Sequence, residues 1–475
     1  MERFTDSLTG DFDADIARLD SILQPGERFD LIRKEMKISG ARLVFYYLDG
    51  MTKSDALEKL YNYLVTLKDF GDGTDGVAKR FSEAHMPVAE VDAESSVDKL
   101  VYAVLSGCTL LFCDGFDANA LVIDMRTYPA RDSEEPENDK VMRGSRDGFV
   151  ETLMVNISLI RRRIRSPELT VKHICAGKTT RTDIALCYME GRADADYVRE
   201  LEGKLGGMDT DSLVLGHESM AEAMVRRGWY NPFPKARATE RPDAAAAAIL
   251  EGGVIVLCDN TPEALLFPTT LFHFLQETDD FYFSPLTGTY LRLLRHVIFW
   301  LTMVVTPLWY LVLMHEDFLP PVLHFLIPSD PGDLPIFVQL IVTEFALDGL
   351  KLASLNTPNV LASSLSVVGG LLLGDFAVTV GWLSPDVILY MAFVAIANFT
   401  QSSYELGYAY KYLRILTLCL TAAFDWIGFL LGIAIGFVLA LTNETLDGRR
   451  QYLYPLIPWD GKAMARLFFR LKKND

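Results

Sequence analysis

Basic residues nearly disappear from one long part of this chain. From Val297 to Thr445 there are three, Lys351, Lys411 and Arg414, against eleven Asp or Glu. The first 290 residues are also acidic, with 33 Lys or Arg and 49 Asp or Glu, net −16. Recognition of a nucleic-acid backbone rests on clustered Lys and Arg, so nucleic acid is not an expected partner. Cysteine is sparse: the six (108, 113, 175, 187, 258, 419) form no Cys-x-x-Cys pair, and no His stands at ligand spacing. That argues against a disulfide framework or a zinc centre and suits a reducing compartment. The opening MERFTDSLTGDFDADIARLD has no apolar signal core, so the front half is expected to stay in the cytoplasm.

Catalytic signatures are missing as well. No G-x-S-x-G, H-E-x-x-H or G-x-G-x-x-G occurs. Gly177-Lys178-Thr179 resembles the end of a phosphate loop, but that loop needs Gly at position 172, which is Lys. His173 reads as a half-exposed strand residue, and Asp114 and Asp117 as turn residues bonding their own backbone. No catalytic residue, cofactor or metal site is therefore expected. A small ligand held at a cleft stays open.

What the chain does have is long apolar runs. Val297–Met314 is uncharged, Val360–Leu383 is broken only by Asp375, Val387–Gln401 is uncharged, and Ile415–Leu441 is broken only by Asp425. A bilayer core takes about 20 apolar residues as a helix, because lipid satisfies no backbone polar group. Four such runs predict a membrane domain, with membrane lipid as its surroundings. Gly370-x-x-x-Gly374 and Gly428-x-x-x-Gly432-x-x-x-Gly436 lie in two of the runs, and small residues four apart let helices approach closely, within or between subunits. In 336–355, Glu344 and Asp348 share a helical face. These two, with Asp375 and Asp425, are the candidate ion path, since intramembrane acids usually face a polar interior. Asp425 has a second reading, as the break of a short hairpin over 415–441. Arg292, Arg295 and His296 place the start of the first span inside. The tail (446–475), with seven basic and three acidic residues, should also lie inside. Lys411 and Arg414 want the same side, and no single count satisfies every charge; four to six crossings are expected.

The front half reads as a duplication. Strand Ala41–Leu48 ends at Asp49-Gly50, and Thr52-x-x-Asp55 resembles a capping box opening a helix. Strand Asp183–Met189 ends likewise at Glu190-Gly191. Tyr47–Gly50 precedes Tyr188–Gly191 by 141 residues, and Cys113-Asp114 precedes Cys258-Asp259 by 145. The expected fold is thus an α/β cytosolic region of two related lobes followed by an all-α helical transmembrane domain. The expected divisions are a polar lead-in (1–24), first lobe (25–127), linker (128–146), second lobe (147–270), amphipathic linker (271–296), membrane domain (297–445) and basic tail (446–475). The helix carrying Phe149, Leu153, Ile157, Ile160 and Ile164 ends in Arg161, Arg162, Arg163 and Arg165, read as a solvated end or as a grip on carboxylates or headgroups.

Several motifs resemble the A subunits of GerA-type spore germinant receptors. They are Arg143-Gly144-x-Arg146-Asp147-Gly148-Phe149, then Arg161-Arg162-Arg163, then Glu240-Arg241-Pro242-Asp243, together with ASLNTPN (353–359), ILYMAFVAIANFTQSSYELGYAYK (388–411) and YLYPLIPWDGKA (452–463). The last three are similar to the sporulation-protein branch of that family. The receptor subunits usually carry Arg-Glu-Ala-Gly near 350, where this chain has Gly349-Leu350-Lys351-Leu352. The resemblance implies a protein of the inner membrane of endospores that acts in germination. It implies a homo-oligomer that conducts monovalent cations with a second membrane subunit and other spore germination proteins. It supplies no catalytic residue.

Overall fold

The structure is a computed structural model. It describes the whole chain except residues 1–3, 5, 72–73, 75, 87–89, 129–143, 226–229, 278, 356–366, 368, 401–402 and 470–475. Arg143, most of the 128–146 joint, the start of the 360–383 run and the last basic residues lie outside the described residues. The chain forms two compact units: Met1–Arg226 with Ala236–Pro268, and Arg227–Lys235 with Thr269–Asp475.

The first unit holds two copies of one nine-element pattern. The first copy runs α1 (Phe12–Leu23), β1 (Leu31–Ile38), β2 (Ala41–Leu48), α2 (Ser54–Thr66), α3 (Val77–His85), β3 (Val91–Glu94), α4 (Val97–Leu105), β4 (Thr109–Cys113) and β5 (Ala120–Ile123). The second runs α5 (Leu153–Arg163), β6 (Leu169–Ala176), β7 (Thr182–Met189), α6 (Ala195–Gly206), α7 (His217–Met224), β8 (Arg237–Thr239), α8 (Pro242–Leu250), β9 (Val254–Cys258) and β10 (Ala264–Phe267). The sheets have the same antiparallel order, β1-β2-β4-β5-β3 and β6-β7-β9-β10-β8. Period-2 alternation explains the apolar strand β2. Its Leu43 and Phe45 face a core with α2 and α3, while Val44, Tyr46 and Leu48 face one with α1 and α4.

Helix α1 begins where Asp11 accepts hydrogen bonds from the amides of Asp13 and Ala14, an N-cap. It buries Ile16, Leu19 and Leu23 in the first lobe and is the counterpart of α5. The 1–24 stretch, expected as a polar lead-in, thus contributes to a core. The capping box at Thr52 does not form. Helix α2 starts after Lys53, and the Thr52 hydroxyl donates instead to the Leu48 carbonyl. Asp117 does more than close its own turn: it accepts from the amides of Gly76 and Ala78 at the start of α3.

In the second unit three of the apolar runs become helices Pro285–Met314, Pro385–Phe399 and Tyr404–Thr442, residues 336–355 form the helix Ile336–Leu355, and the described part of the 360–383 run holds the short pieces Leu372–Phe376 and Ala377–Thr379. Pro307 sits inside the first without ending it. Among the described residues two helices, 285–314 and 404–442, are long and apolar enough to cross a membrane. Only 33% and 22% of their most apolar stretches are buried, so their outer faces stay apolar and uncovered. The longer helix breaks at Asp425, where φ is 57° and ψ −139°. Its two arms fold back on one another as a hairpin.

Candidate functional site

The helical unit carries a buried charge network. Glu344, on the 336–355 helix, accepts from Arg414 Nε at 2.6 Å, and Arg414 Nη1 donates to the Thr302 carbonyl at 3.1 Å. Lys411, one turn earlier on the hairpin's first arm, donates to the Glu344 carbonyl at 3.0 Å and pairs with Asp348. Its ammonium also lies 3.7 Å from Glu344 Oε2. The side chains of Arg414 and Glu344 are only 1% and 4% exposed, so neither charge survives there without the other. The helical spacing of Glu344 and Asp348 places both acids over Lys411 and Arg414, three residues apart on the facing helix. The network ties three helices together. Lys351, beyond Asp348, lies over the rings of Tyr404 and Tyr408 at 4.5 and 4.8 Å.

Lys411 and Arg414, read as residues seeking the cytoplasm, are buried and paired inside the helix block. Arg295 and Arg292, read as marking the inner end of the first span, are also paired. Arg295 meets Glu277 at 2.8 Å and Asp280 at 3.0 Å, and Arg292 meets Asp280 at 3.2 Å.

The other two candidate acids stand apart from this network. Asp375 is exposed within the π-helical turn Leu372–Phe376. Asp425 sits at the hairpin tip and meets His315 Nε2 at 3.1 Å. The triple glycine pattern is the inner face of that hairpin. A Cβ at Gly428 would run into the Leu420 carbonyl, one at Gly432 would lie 2.8 Å from Thr417 Cα, and one at Gly436 2.9 Å from Met303 Cε. Among the described residues nothing lies within 4 Å of a Cβ placed on Gly370 or Gly374.

The α/β unit has a second buried ion pair, which joins the lobes. Arg161 Nε and Nη2 donate to the two carboxylate oxygens of Asp30 at 2.8 and 2.9 Å. The side chains are 1% and 2% exposed, so the solvated-end reading of this helix fails at the first of its four arginines. Around the pair, the Phe29 amide donates to the Val171 carbonyl, Phe29 stacks on His173 at 4.5 Å, and Arg162 lies over the Tyr128 ring at 4.8 Å. Gly50 packs on α5, where a side chain would meet Ser158 Oγ at 2.6 Å. Close by, burial pushes the Cys187 thiol up to about 12.

The remaining motif residues close the second lobe on itself. Arg241, fully buried, grips Asp243 and donates to the Ser145 carbonyl at 2.9 Å. Phe149 donates its amide to the Glu240 carbonyl, and Arg163 pairs with Asp147 at 2.6 Å. Pro242 is the first residue of α8, where its missing N–H costs nothing. Gly144 has φ 129° and Gly148 is buried, while Arg146 is exposed. Sequence reasoning missed Asp30, because a lone Asp before a strand carries no signal until its partner across the seam is known. It also missed His217, at the start of α7, which lies 3.1 Å from Glu263 and 3.4 Å from Glu218. Burial works against its charge, but the two carboxylates outweigh it and raise the imidazole above its usual range.

A duplicated α/β region is followed by a helical unit with an internal ion-pair network and two helices long and apolar enough to cross a membrane. The chain matches the Bacillus/Clostridium GerA spore germination protein family over residues 18–475 and belongs to it. It is 34% identical to stage V sporulation protein AF of Bacillus subtilis (strain 168), over 94% of this chain and 90% of that protein. It is 28% identical to the uncharacterized membrane protein YfkQ of the same organism, over 89% and 82%. Among solved structures it is similar to the N-terminal domain of the A subunit of the Bacillus megaterium spore germinant receptor GerK3. That likeness has 23% identity and a TM-score of 0.41, covering 56% of this chain and 97% of that one.

Proposed function

We infer that this chain is a membrane subunit of a spore-germination assembly and that its helical block forms part of a path for monovalent cations. In this reading the block crosses the inner spore membrane four to six times, with the lobes and the tail in the cytoplasm. Copies of the chain assemble with one another and with a second membrane subunit. The observation that carries it is the network in which Glu344, Lys411 and Arg414 are buried and Asp348 is partly exposed, among helices whose outer faces are apolar. Charges in such a block are costly and mark ion pathways or packing locks. The two basic side chains occupy the acids in this arrangement, so a cation would take their place when the helices part. Flux of K⁺ or Na⁺ from liposomes holding the full chain and its partner subunit tests this. Asp348→Asn should cut the flux at least several-fold, and absence of flux from the unaltered assembly rejects the reading.

The same network supports a second reading, a receptor or scaffold without a pore. Glu344 and Asp348 are neutralised within the chain, as a lock between helices would be. A full-length protein that gives no flux, yet gains thermal stability from a germinant or a partner, would favour it.

A further inference from the structure

We propose that the C-terminal helix Gly461–Phe468 and the turn before it form an interfacial foot that binds anionic phospholipid headgroups. The inference rests on the membrane reading above and names the lipid class that one surface of the helical unit would meet.

The helix is short but well fixed. Asp460 caps it, accepting from the amides of Lys462 and Ala463. Its Leu467 is buried in a core with Phe272, Phe299 and Tyr452, and Met464 and Phe468 pack against it. The Arg466 carbonyl accepts from Arg292 Nη1 at 3.0 Å, which pins the helix to the base of the 285–314 helix.

The opposite surface is uncovered, and its composition is unusual for this chain. Lys462 and Arg466 stand one turn apart and are exposed. Beside them in sequence, Ile457, Trp459 and Phe469 are 43%, 69% and 53% exposed. On the helix that pins this foot, Leu286, Tyr290 and Leu293 share one exposed face. Exposed Trp and Tyr where an apolar helix begins are the side chains that settle at headgroup level. Apolar residues flanked by Lys and Arg are the composition of helices that lie in the interface.

Charge selects the occupant. Residues 446–475 carry seven basic and three acidic side chains, net +4, in a chain of net −18. Each Lys or Arg near an anionic leaflet contributes on the order of a fivefold preference for it. Water alone would not favour the exposed aromatics. An acidic protein would pair with Lys462 and Arg466 but has no use for Trp459 and Ile457 together with the adjoining apolar face. A bilayer with anionic headgroups matches both.

The test uses the full chain in nanodiscs of phosphatidylcholine containing phosphatidylglycerol, with either lipid brominated on its acyl chains. The quenching assigned to Trp459 is the difference between the parent protein and Trp459→Phe. That quenching should be stronger with brominated phosphatidylglycerol than with brominated phosphatidylcholine at equal mole fraction. Lys462→Gln/Arg466→Gln should remove the preference while leaving quenching of the other tryptophans unchanged. If those tryptophans are quenched but Trp459 is not, the foot does not touch lipid and the proposal falls, although the membrane reading stands. Equal quenching by both lipids that survives Lys462→Gln/Arg466→Gln also overturns it and leaves an acidic protein as the ligand of the basic pair. If no tryptophan is quenched by either lipid, the membrane reading itself fails and takes the proposal with it.

Discussion

Replacing Arg161 by Met should loosen the seam between the two lobes while leaving each lobe's sheet intact. The guanidinium makes two short hydrogen bonds to Asp30 and also donates to the carbonyls of Ser166 and Leu169 at 3.3 and 3.2 Å. Met matches the arginine stem but leaves the Asp30 carboxylate buried without its partner, which costs about 3–5 kcal/mol. For a unit of this size, roughly 2–4 °C per kcal/mol turns that into a fall of about 6–20 °C in the melting point of the α/β unit. Cys187 offers a local reading, being fully buried on β7 with its thiol held protonated by burial. In a background with the exposed Cys175 and Cys419 replaced by Ser, labelling of Cys187 by a thiol reagent should accelerate by about 10²-fold or more. The double variant Arg161→Met/Asp30→Leu should recover much of the loss, because an apolar pair of similar volume removes the stranded charge. The reasoning is refuted if Arg161→Met changes the melting point by less than about 2 °C with no change in Cys187 labelling, or if the double variant is as damaged as the sum of the singles.

Other expectations follow from single features. Gly432→Leu should prevent the hairpin from closing, since a side chain there meets Thr417, whereas Gly370→Ala, with nothing within 4 Å among the described residues, should leave stability within about 0.5 kcal/mol. Thermal melts of the purified chain in detergent would compare the two. His217→Gln should destabilise at pH 6 and hardly at all at pH 9. The folded imidazole titrates above its unfolded value, so its stabilisation is complete below about pH 6.5 and is lost as pH rises through the folded value. Melts across that range would show a difference shrinking with pH, and a constant difference would count against the ion pair with Glu263. Arg414→Met strands Glu344 and should cost about 3–5 kcal/mol, with Arg414→Met/Glu344→Leu recovering part of it.

Much of the α/β unit could be read from residues alone, because its signals are local. Turn glycines after β2 and β7, apolar strands and two nearly equal offsets define a repeat before any coordinates are seen. The core contribution of helix α1, read from sequence as a polar lead-in of one helix, escaped because acidic residues fill its outer face and its apolar positions are few. Only comparison with α5 shows it to be the first element of the repeat. The ion pairs were less legible for a physical reason. Asp30 and Arg161 are 131 residues apart, and Glu344 and Arg414 are 70 apart. No local pattern joins partners at such separations, so Asp30 went unread, Glu344 read as part of an ion path, Arg161 as a helix end and Arg414 as a topology marker. Asp425 lay between the two cases. A charge inside an apolar run announces a break, but only the backbone at φ 57° shows the chain reversing there.

That reversal has a mechanical consequence. The arms on either side of Asp425 touch along a ladder of glycines, where a shift of one residue would drive a side chain into a backbone. They cannot slide past one another, and so must move as a single stiff paddle. Whatever rearrangement this part of the molecule undergoes has to occur where the paddle meets its neighbours, at the 285–314 helix and at the salt-bridged contact with the 336–355 helix.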